Sequence, residues 1–405
     1  MTFGQQRVSH LVIAFFITLA FTTIHGFYFQ LSFDHVLRDL YNHLFAFQRD
    51  TLAHLQFPHG PLAFLQYPLA IGNNYIYALL FQGAISFLAS GLILRLNEQK
   101  GGSALQGVLG AIVILLIQVP FYVVVLLLPL SFRGRGKASA WLLAALFTSL
   151  GILIRSYLGI SLLAIYYGLW VGHLLDQQKP LSWKDFLPGL YPWLSLALVW
   201  LALFQGLQGF WKFFVGQYYL LTGSSVATSL YPTNSMLLVV IFLGLLAALF
   251  WLGKRLLSWQ YWLPLLLWAL LTLKYAFSRQ DAGHLQALFE LLIFLGLFWT
   301  LVLPRKRWTN ISLSLGVVLV FSVLCKYAVG LNRFSTTDFH PVVYLQRLLQ
   351  PQHTKTQYWL KWEKAKRDAR GAVKLNGVAF PWNHLLSSEL PPPPFHKPTP
   401  HIILI

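Results

Sequence analysis

Long uninterrupted apolar runs constrain this chain more than any other feature of its sequence. A helix needs about 20 mostly apolar residues to cross the roughly 30 Å hydrocarbon core of a bilayer. Ten runs of the 405-residue chain approach or reach that length, at about 11–29, 75–96, 105–132, 138–154, 157–175, 187–206, 236–252, 259–277, 285–303 and 311–330. The pattern predicts an all-α, polytopic transmembrane protein.

Composition and charge support the same class. Hydrophobic residues make up 57% of the chain and charged residues only 10%, whereas a soluble domain carries about 25% charged residues. The formal net charge is +18, which could suggest a nucleic-acid partner. The cations lie between the apolar runs, however, so we interpret them as topology signals and expect membrane lipids as partners instead of nucleic acid.

The run 105–132 decides on which side of the membrane every later loop lies. It contains Gln118 and Pro120 at its centre and Pro129 near its end, and proline breaks a helix because it lacks the backbone donor. Two half-helices that turn near Pro120 would enter and leave on one side, which gives about eleven membrane helices. The alternative is one long helix, which would exchange the sides of all later loops.

With the run broken, the Lys- and Arg-rich loops share one side, which the positive-inside rule assigns to the cytoplasm. We therefore predict a multi-pass protein of an inner or plasma membrane, with its N-terminus cytoplasmic and its C-terminus outside. Residues 1–330 form the transmembrane domain, and 331–405 form a small polar outer region with a Pro-rich end. The outer face carries four connections: loop 30–74, the turn at Arg155-Ser156, loop 207–235 and the turn 274–284.

The first outer loop contains an acidic amphipathic segment. Apolar residues recur at helical spacing over 33–56, which predicts a helix lying in the membrane interface. Its polar face carries Asp34 and Asp39, which are too far apart around a helix to form one carboxylate dyad. Each is either part of a solvated face or a base or metal ligand. The turn that follows presents His59, in a structural or a binding role.

A second polar cluster lies between the last long apolar runs. Four polar residues fall within eleven positions, namely Lys274, Arg279, Asp281 and His284. They could bind an anion, with the planar Arg279 guanidinium donating two parallel hydrogen bonds to a phosphate. The structural alternative is an Arg279–Asp281 pair that fixes the turn. Glu290 follows at membrane depth, where an ionisable group is a functional hypothesis by default. The structural alternative is that Glu290 pairs with a neighbouring helix.

Arg155 is a single cation between two apolar runs, with no acid near it in the sequence. We expect it at the outer headgroup level. Its partner there would be the phosphate of an ordinary lipid or of a polyprenyl phosphate.

These elements together resemble the GT-C superfamily of polyprenyl-phosphate-dependent membrane glycosyltransferases. The matching features are the acidic first outer loop with Asp34 and Asp39, the turn His59-Gly60-Pro61-Leu62, the stretch Gly151–Arg155, and the turn Arg279-x-Asp281-x-Gly283-His284. The resemblance covers residues 1–330 and leaves the tail unassigned.

The resemblance implies an enzyme that transfers a hexose or pentose from a lipid-linked donor to an acceptor on the outer face. Asp34 or Asp39 would be the base, and Arg279 with His284 would bind the donor phosphate. His59, Arg155, Lys274 and Asp281 would complete the substrate site, and the only cofactor implied is a divalent metal, Mg²⁺ or Mn²⁺. The chain lacks the adjacent Asp-Glu pair found in the first loop of well-known members.

Two other functions fit the same features. A transporter or flippase of a lipid-linked or anionic solute would use Arg155, Glu290 and the broken run 105–132 as parts of a transport path. A ligase or polymerase of a surface polysaccharide is the other alternative. The oligomeric state is not predicted.

Overall fold

The computed structural model describes residues 3–22, 33–52, 59–69, 71–132, 136–177, 180–218, 235–253, 258–279 and 282–302, with a few isolated positions beyond. The helices are α1 Phe3–Phe21, α2 Phe33–Phe47, α3 Arg49–Leu52, α4 Asn74–Gln99, α5 Ala104–Leu116, α6 Pro120–Ser131, α7 Gly136–Ile154, α8 Ser156–Leu175, α9 Tyr191–Phe204, α10 at 210–218, α11 Ser235–Gly253, α12 Trp259–Arg279 and α13 Ala282–Val302. Two 3₁₀ segments are Ala63–Leu65 and Trp183–Leu190. The described residues contain no strand apart from one isolated β-bridge, which confirms the all-α prediction there.

Several helices have the length and composition of membrane spans. Within the described residues, four are long and apolar enough to cross a bilayer, namely Asn74–Gln99, Lys137–Ile154, Ser156–Leu175 and the continuous run Trp183–Phe204. Shorter apolar stretches lie in α1, α5, α6, α11 and α13. Large side chains such as Phe16 and Leu198 are exposed on the outside of the bundle, as expected where lipid replaces water. A helical membrane protein is therefore supported, while the number of crossings stays a prediction.

The bundle has two ends, which the helix α7 defines. We call the end where α7 finishes the upper end, and the end where α7 begins the lower end. At the lower end, Lys137 Nζ lies 2.8 Å from His173 Nε2, which joins the start of α7 to the end of α8. The Asp176 carboxylate accepts the backbone N–H groups of Trp259 and Gln260 at 3.0 and 2.9 Å. It thereby caps the start of α12.

The predicted break in the run 105–132 is present. α5 ends at Leu116 and α6 begins at Pro120, where the missing N–H of proline costs nothing in a first helical turn. Gln118, between them, has a left-handed φ of 57°. Two short helices therefore replace one long one.

The two half-helices form a re-entrant pair, because both are tied to the lower end of α4. Asn97 Nδ2 donates to Ser103 O at 2.8 Å just before α5, and Gln99 Nε2 donates to Ser131 O at 3.2 Å at the end of α6. The chain thus enters and leaves at the same end, as the sidedness argument requires. α6 is apolar on all sides and is correspondingly buried, with all side chains of 123–128 at most 3% exposed.

Candidate functional site

Arg155 is the single residue that interrupts α7 and α8. Its backbone is extended (φ −158°, ψ 134°), and it forms an antiparallel bridge with His59. The Gly60 N–H donates to Ile154 O at 3.0 Å, and the Leu62 N–H donates to Leu153 O at 2.8 Å. Two of the motifs singled out in the sequence, almost a hundred residues apart, therefore form one unit.

Glycine at position 60 is required by this close approach. A Cβ on Gly60 would lie only 2.2 Å from the carbonyl oxygen of Leu153, far inside van der Waals contact. The turn can therefore dock on the end of α7 only without a side chain at that position. This docking fixes the backbone of Arg155.

The guanidinium of Arg155 is held by two phenols. It donates to Tyr67 Oη at 3.2 Å and to Tyr275 Oη at 3.4 Å. Both hydrogen-bond partners found for it in the described part of the chain are neutral. The Tyr275 ring is itself stacked between Tyr157, at 3.8 Å, and His284, at 4.2 Å. Two neutral phenols therefore position the cation in the described part of the chain.

A cavity of about 310 Å³ lies beside Arg155. Its polar lining is Thr22, Gln66, Gln82, Ser86, Gln118, Tyr122, Arg155, Tyr157, Thr272, Tyr275 and Glu290. Among the lining residues that the structure describes, Arg155 is the one cation and Glu290 the one carboxylate. Tyr122 stacks on Trp268 at 4.6 Å and 19° in the apolar part of the wall.

Helical periodicity explains why these side chains meet. α13 contributes Ala287, Glu290 and Leu291, and α12 contributes Trp268, Thr272 and Tyr275. Both sets follow the spacing of three and four residues that places side chains on one helix face. The lining comes from six helical regions and from the 3₁₀ segment Ala63–Leu65 with Gln66 after it. The helical regions are the end of α1, the first half of α4, the α5–α6 turn, the α7–α8 junction, the second half of α12 and the first half of α13. The cavity therefore belongs to the upper half of the bundle.

His59 supports this wall and is not among its lining residues. Its ring lies between Tyr41 and Tyr67, with centroid distances of 5.9 and 5.7 Å, and Tyr41 Oη donates to His59 O at 2.8 Å. Because Tyr67 also accepts from Arg155, His59 contacts the residue that holds the cation. Its side chain and its main chain both position Arg155.

Of the predicted cluster Lys274, Arg279, Asp281 and His284, the structure describes two side chains, those of Lys274 and His284. The His284 ring stacks on Tyr275, the phenol that accepts a hydrogen bond from Arg155. Lys274 is exposed on α12 and does not line the cavity. Arg279 is the last residue of α12, and its side chain, like all of Asp281, lies outside the described part of the chain. Their predicted roles in phosphate binding stay predictions.

Asp34 and Asp39 lie on α2, with side chains outside the described set. The following turn of α2 is firmly docked. Asn42 is 1% exposed, its Nδ2 donates to Tyr67 O at 2.9 Å and its Oδ1 accepts Leu69 N–H at 3.0 Å. Asn74 Nδ2 donates to Asn42 O at 2.7 Å. The acidic helix is thus fixed to the loop that carries Tyr67.

His43, on the same helix, is a partly buried imidazole. Burial lowers its pKa below the ordinary value of 6.5, because desolvation disfavours the charged form. Its ring lies 4.9 Å from that of Phe47. We therefore assign His43 to packing and not to phosphate binding.

The described residues contain no group of three or more His, Cys, Asp or Glu side chains that could hold a metal ion. Asp34, Asp39 and Asp281 lie outside that search, so the predicted divalent metal is neither supported nor opposed.

Several residues of the site were not anticipated from the sequence. Tyr67, Tyr122, Tyr157 and Tyr275 look like ordinary aromatic residues of apolar segments. The glutamines that line the cavity could have been identified as site candidates, because a buried amide inside an apolar run requires hydrogen-bond partners. The same applies to Glu290, although the sequence pattern assigned it no role in the substrate site.

Comparison with protein-family models, with curated proteins and with solved structures finds no match to this chain. A hypothesis of function must therefore come from the chemistry of the cavity.

Proposed function

We propose that this chain is an integral membrane glycosyltransferase that moves a sugar from a polyprenyl-phosphate donor to an acceptor at the outer face. The observation that carries the proposal is Arg155, held by two neutral phenols in a cavity that belongs to one half of the bundle. A one-sided site suits a reaction at one membrane face, whereas a carrier requires access from both.

Arg155 has the chemistry of a donor-phosphate ligand. A guanidinium offers a planar set of N–H donors that matches a phosphate group, and two phenols hold it in place without neutralising it. When the sugar–phosphate bond breaks, the phosphodiester becomes a monoester and gains one negative charge. A preorganised cation stabilises that developing charge in the transition state.

The rest of the cavity suits a carbohydrate. Tyrosine and glutamine side chains supply hydrogen bonds to hydroxyl groups, and aromatic faces such as Tyr122 and Trp268 supply apolar contact. A volume of about 310 Å³ lies at the lower end of the range for small-molecule sites, about 300–1,000 Å³. This size favours a single sugar unit over a polymer, and so a transferase over a polysaccharide polymerase.

The cations at the lower ends of α4 and α7 support an outer location for the cavity. Lys100 and Lys137 lie at the lower end of the bundle, as does Arg95, which contacts Phe132 at the end of α6. The positive-inside rule then makes the lower end cytoplasmic. With the re-entrant pair counted, the proposed topology has about eleven membrane helices and a cytoplasmic N-terminus in a bacterial plasma membrane. A lipid-linked donor fits such a site, because nucleotide sugars are cytoplasmic.

The family resemblance implies an acid of α2, Asp34 or Asp39, as the base. His284 and Arg279 would extend the phosphate site from Arg155 towards the start of α13. A divalent metal would be bound by the acids of the first outer loop.

Transfer of radiolabelled sugar in proteoliposomes tests the proposal. Wild-type protein should move label from a polyprenyl-phosphate sugar to an acceptor, and Arg155→Gln should reduce the rate by about 10²-fold or more, the usual effect of losing one charge-stabilising donor. Arg95→Gln, which removes a cation at the lower end, is the matched control and should keep the rate. Absence of transfer by wild type across several donors would refute the proposal.

A carrier is the second candidate, favoured by the helix break at Gln118 and by Glu290 within an apolar helix. Discontinuous helices and buried carboxylates are features of transport paths. Movement of a labelled donor from one leaflet to the other, without transfer of its sugar, would support this candidate in place of the transferase.

A further inference from the structure

We propose that Glu290 is the carboxylate that accepts the proton of the acceptor hydroxyl, so that the base lies within the membrane helices and not on the first outer loop. The inference rests on the proposed transferase function and names a different residue of the same site.

Glu290 is placed for contact with substrate by the face of α13 on which it lies. Ala287 and Leu291, three residues before it and one after, line the same cavity, so this face of the helix forms the wall. Glu290 lies eight residues into α13, or about 12 Å from its start at 1.5 Å per residue. It is half-buried, which leaves part of the side chain accessible from the cavity.

The energetic cost of this position requires an explanation. Residues packed against the same wall are apolar, for example Phe294 on Trp268 at 5.0 Å. A carboxylate among apolar helices is expensive and is retained where it serves a site or a partner. Tyr122, Tyr157 and Tyr275 share the cavity with it, so the cavity itself offers the carboxylate a polar surrounding.

The described lining of the cavity presents a cation, Arg155, and a carboxylate, Glu290, and the reaction needs one group of each kind. Arg155 is held by Tyr67 and Tyr275, which leaves other N–H groups of its guanidinium for the donor phosphate. Glu290 is then the carboxylate, among the described lining residues, that can receive a proton. A general base must lie within hydrogen-bond reach of the proton it removes, and both groups line one cavity of single-sugar size.

The step balances without a further reactant. The acceptor hydroxyl gives its proton to Glu290 while its oxygen forms a bond to the anomeric carbon. The bond between that carbon and the phosphate oxygen breaks, and its electron pair leaves with the polyprenyl phosphate, beside Arg155. The proton then passes from Glu290 to water.

Steady-state transfer by purified wild type and Glu290→Gln in proteoliposomes tests the inference, with donor binding measured separately using a radiolabelled polyprenyl-phosphate sugar. The variant should lose about 10²–10⁴-fold in kcat, the usual contribution of a general base, while it binds the donor as wild type does. The fall of the wild-type rate at acidic pH should also be absent from the residual activity. Glu98→Gln, which removes an exposed carboxylate at the lower end, should match wild type.

A merely structural role predicts a different result. If Glu290 only balances the charge of Arg155, Glu290→Gln will change donor affinity and leave the acidic limb of the pH profile in place, which overturns the inference. Full activity of Glu290→Gln together with inactive Asp34→Asn or Asp39→Asn would assign the base to α2 and overturn it too. Failure of wild type to transfer sugar would instead refute the transferase proposal.

Folding of the variant is controlled by a second substitution. Should Glu290→Gln not yield monodisperse protein, Glu290→Ala is assayed with and without added formate, which can replace a missing carboxylate. Restoration of the rate by formate supports the base. A rate that formate does not raise, in protein that still binds donor, overturns it.

Discussion

The main chain of His59 pairs with that of Arg155 in an antiparallel bridge, and this contact joins the segment before α4 to the break between α7 and α8. The bridge explains how the backbone of this cation is fixed at the edge of the cavity. Its backbone is held by the turn 59–62, and its guanidinium by Tyr67 and Tyr275. The positions on which this arrangement depends can be tested one at a time.

Gly60→Ala should destabilise the protein and impair donor binding. The added Cβ would meet Leu153 O at 2.2 Å, so the turn must move away from Arg155, at a cost of about 1–3 kcal/mol. Gly91→Ala is the control, since nothing lies within 4 Å of a Cβ there. Thermal unfolding in detergent should show a lower midpoint for Gly60→Ala and no loss for Gly91→Ala. Equal midpoints would show that the turn does not depend on this approach.

Tyr275→Phe should weaken donor binding while it preserves the ring stack. The substitution removes the hydroxyl that accepts from Arg155 at 3.4 Å and retains the aromatic contacts with Tyr157 and His284. A hydrogen bond to a charged group contributes about 1.5–3 kcal/mol, so donor affinity should fall about tenfold or more. Tyr77→Phe, at an exposed position of α4, should bind donor as wild type does. A Tyr275→Phe variant with unchanged affinity would contradict the role of this phenol.

The general class of the protein was predictable from the sequence because hydropathy is a local property. The helix break near Pro120 was predictable for the same reason, since the cause lies in the proline itself. Tyr67 and Tyr275 were not, because each looks like a common aromatic residue until the fold brings both to Arg155. The contact between His59 and Arg155 joins two separate motifs, and no local pattern encodes such a pairing.

Asn42→Ala should loosen α2 from the upper end of the bundle. The substitution leaves the Leu69 N–H, which donates to Asn42 Oδ1 at 3.0 Å, without its acceptor in a buried site, and an unsatisfied buried group costs about 1–3 kcal/mol. Asn73→Ala is the matched control, because that residue is exposed and its side chain makes no capping bond. Limited proteolysis of the first outer loop should be faster for Asn42→Ala only. Equal rates would show that Asn42 does not fix the helix.

Labelling of single cysteines tests the proposed sidedness. In a Cys325→Ser background, Asn73→Cys lies at the upper end of α4 and Lys100→Cys at its lower end. A membrane-impermeant maleimide added to intact cells should label position 73 alone, because the upper end faces outwards. Labelling of position 100 alone would invert the topology and place the cavity at the cytoplasmic face.

The location of the donor phosphate tests the central claim most directly. A cryo-electron microscopy structure with a bound polyprenyl-phosphate sugar should place the phosphate within about 3 Å of the Arg155 guanidinium, the distance of a charge-assisted hydrogen bond. The sugar should then occupy the cavity shared with Glu290. A donor phosphate bound elsewhere, with Arg155 still bonded only to Tyr67 and Tyr275, would contradict the account.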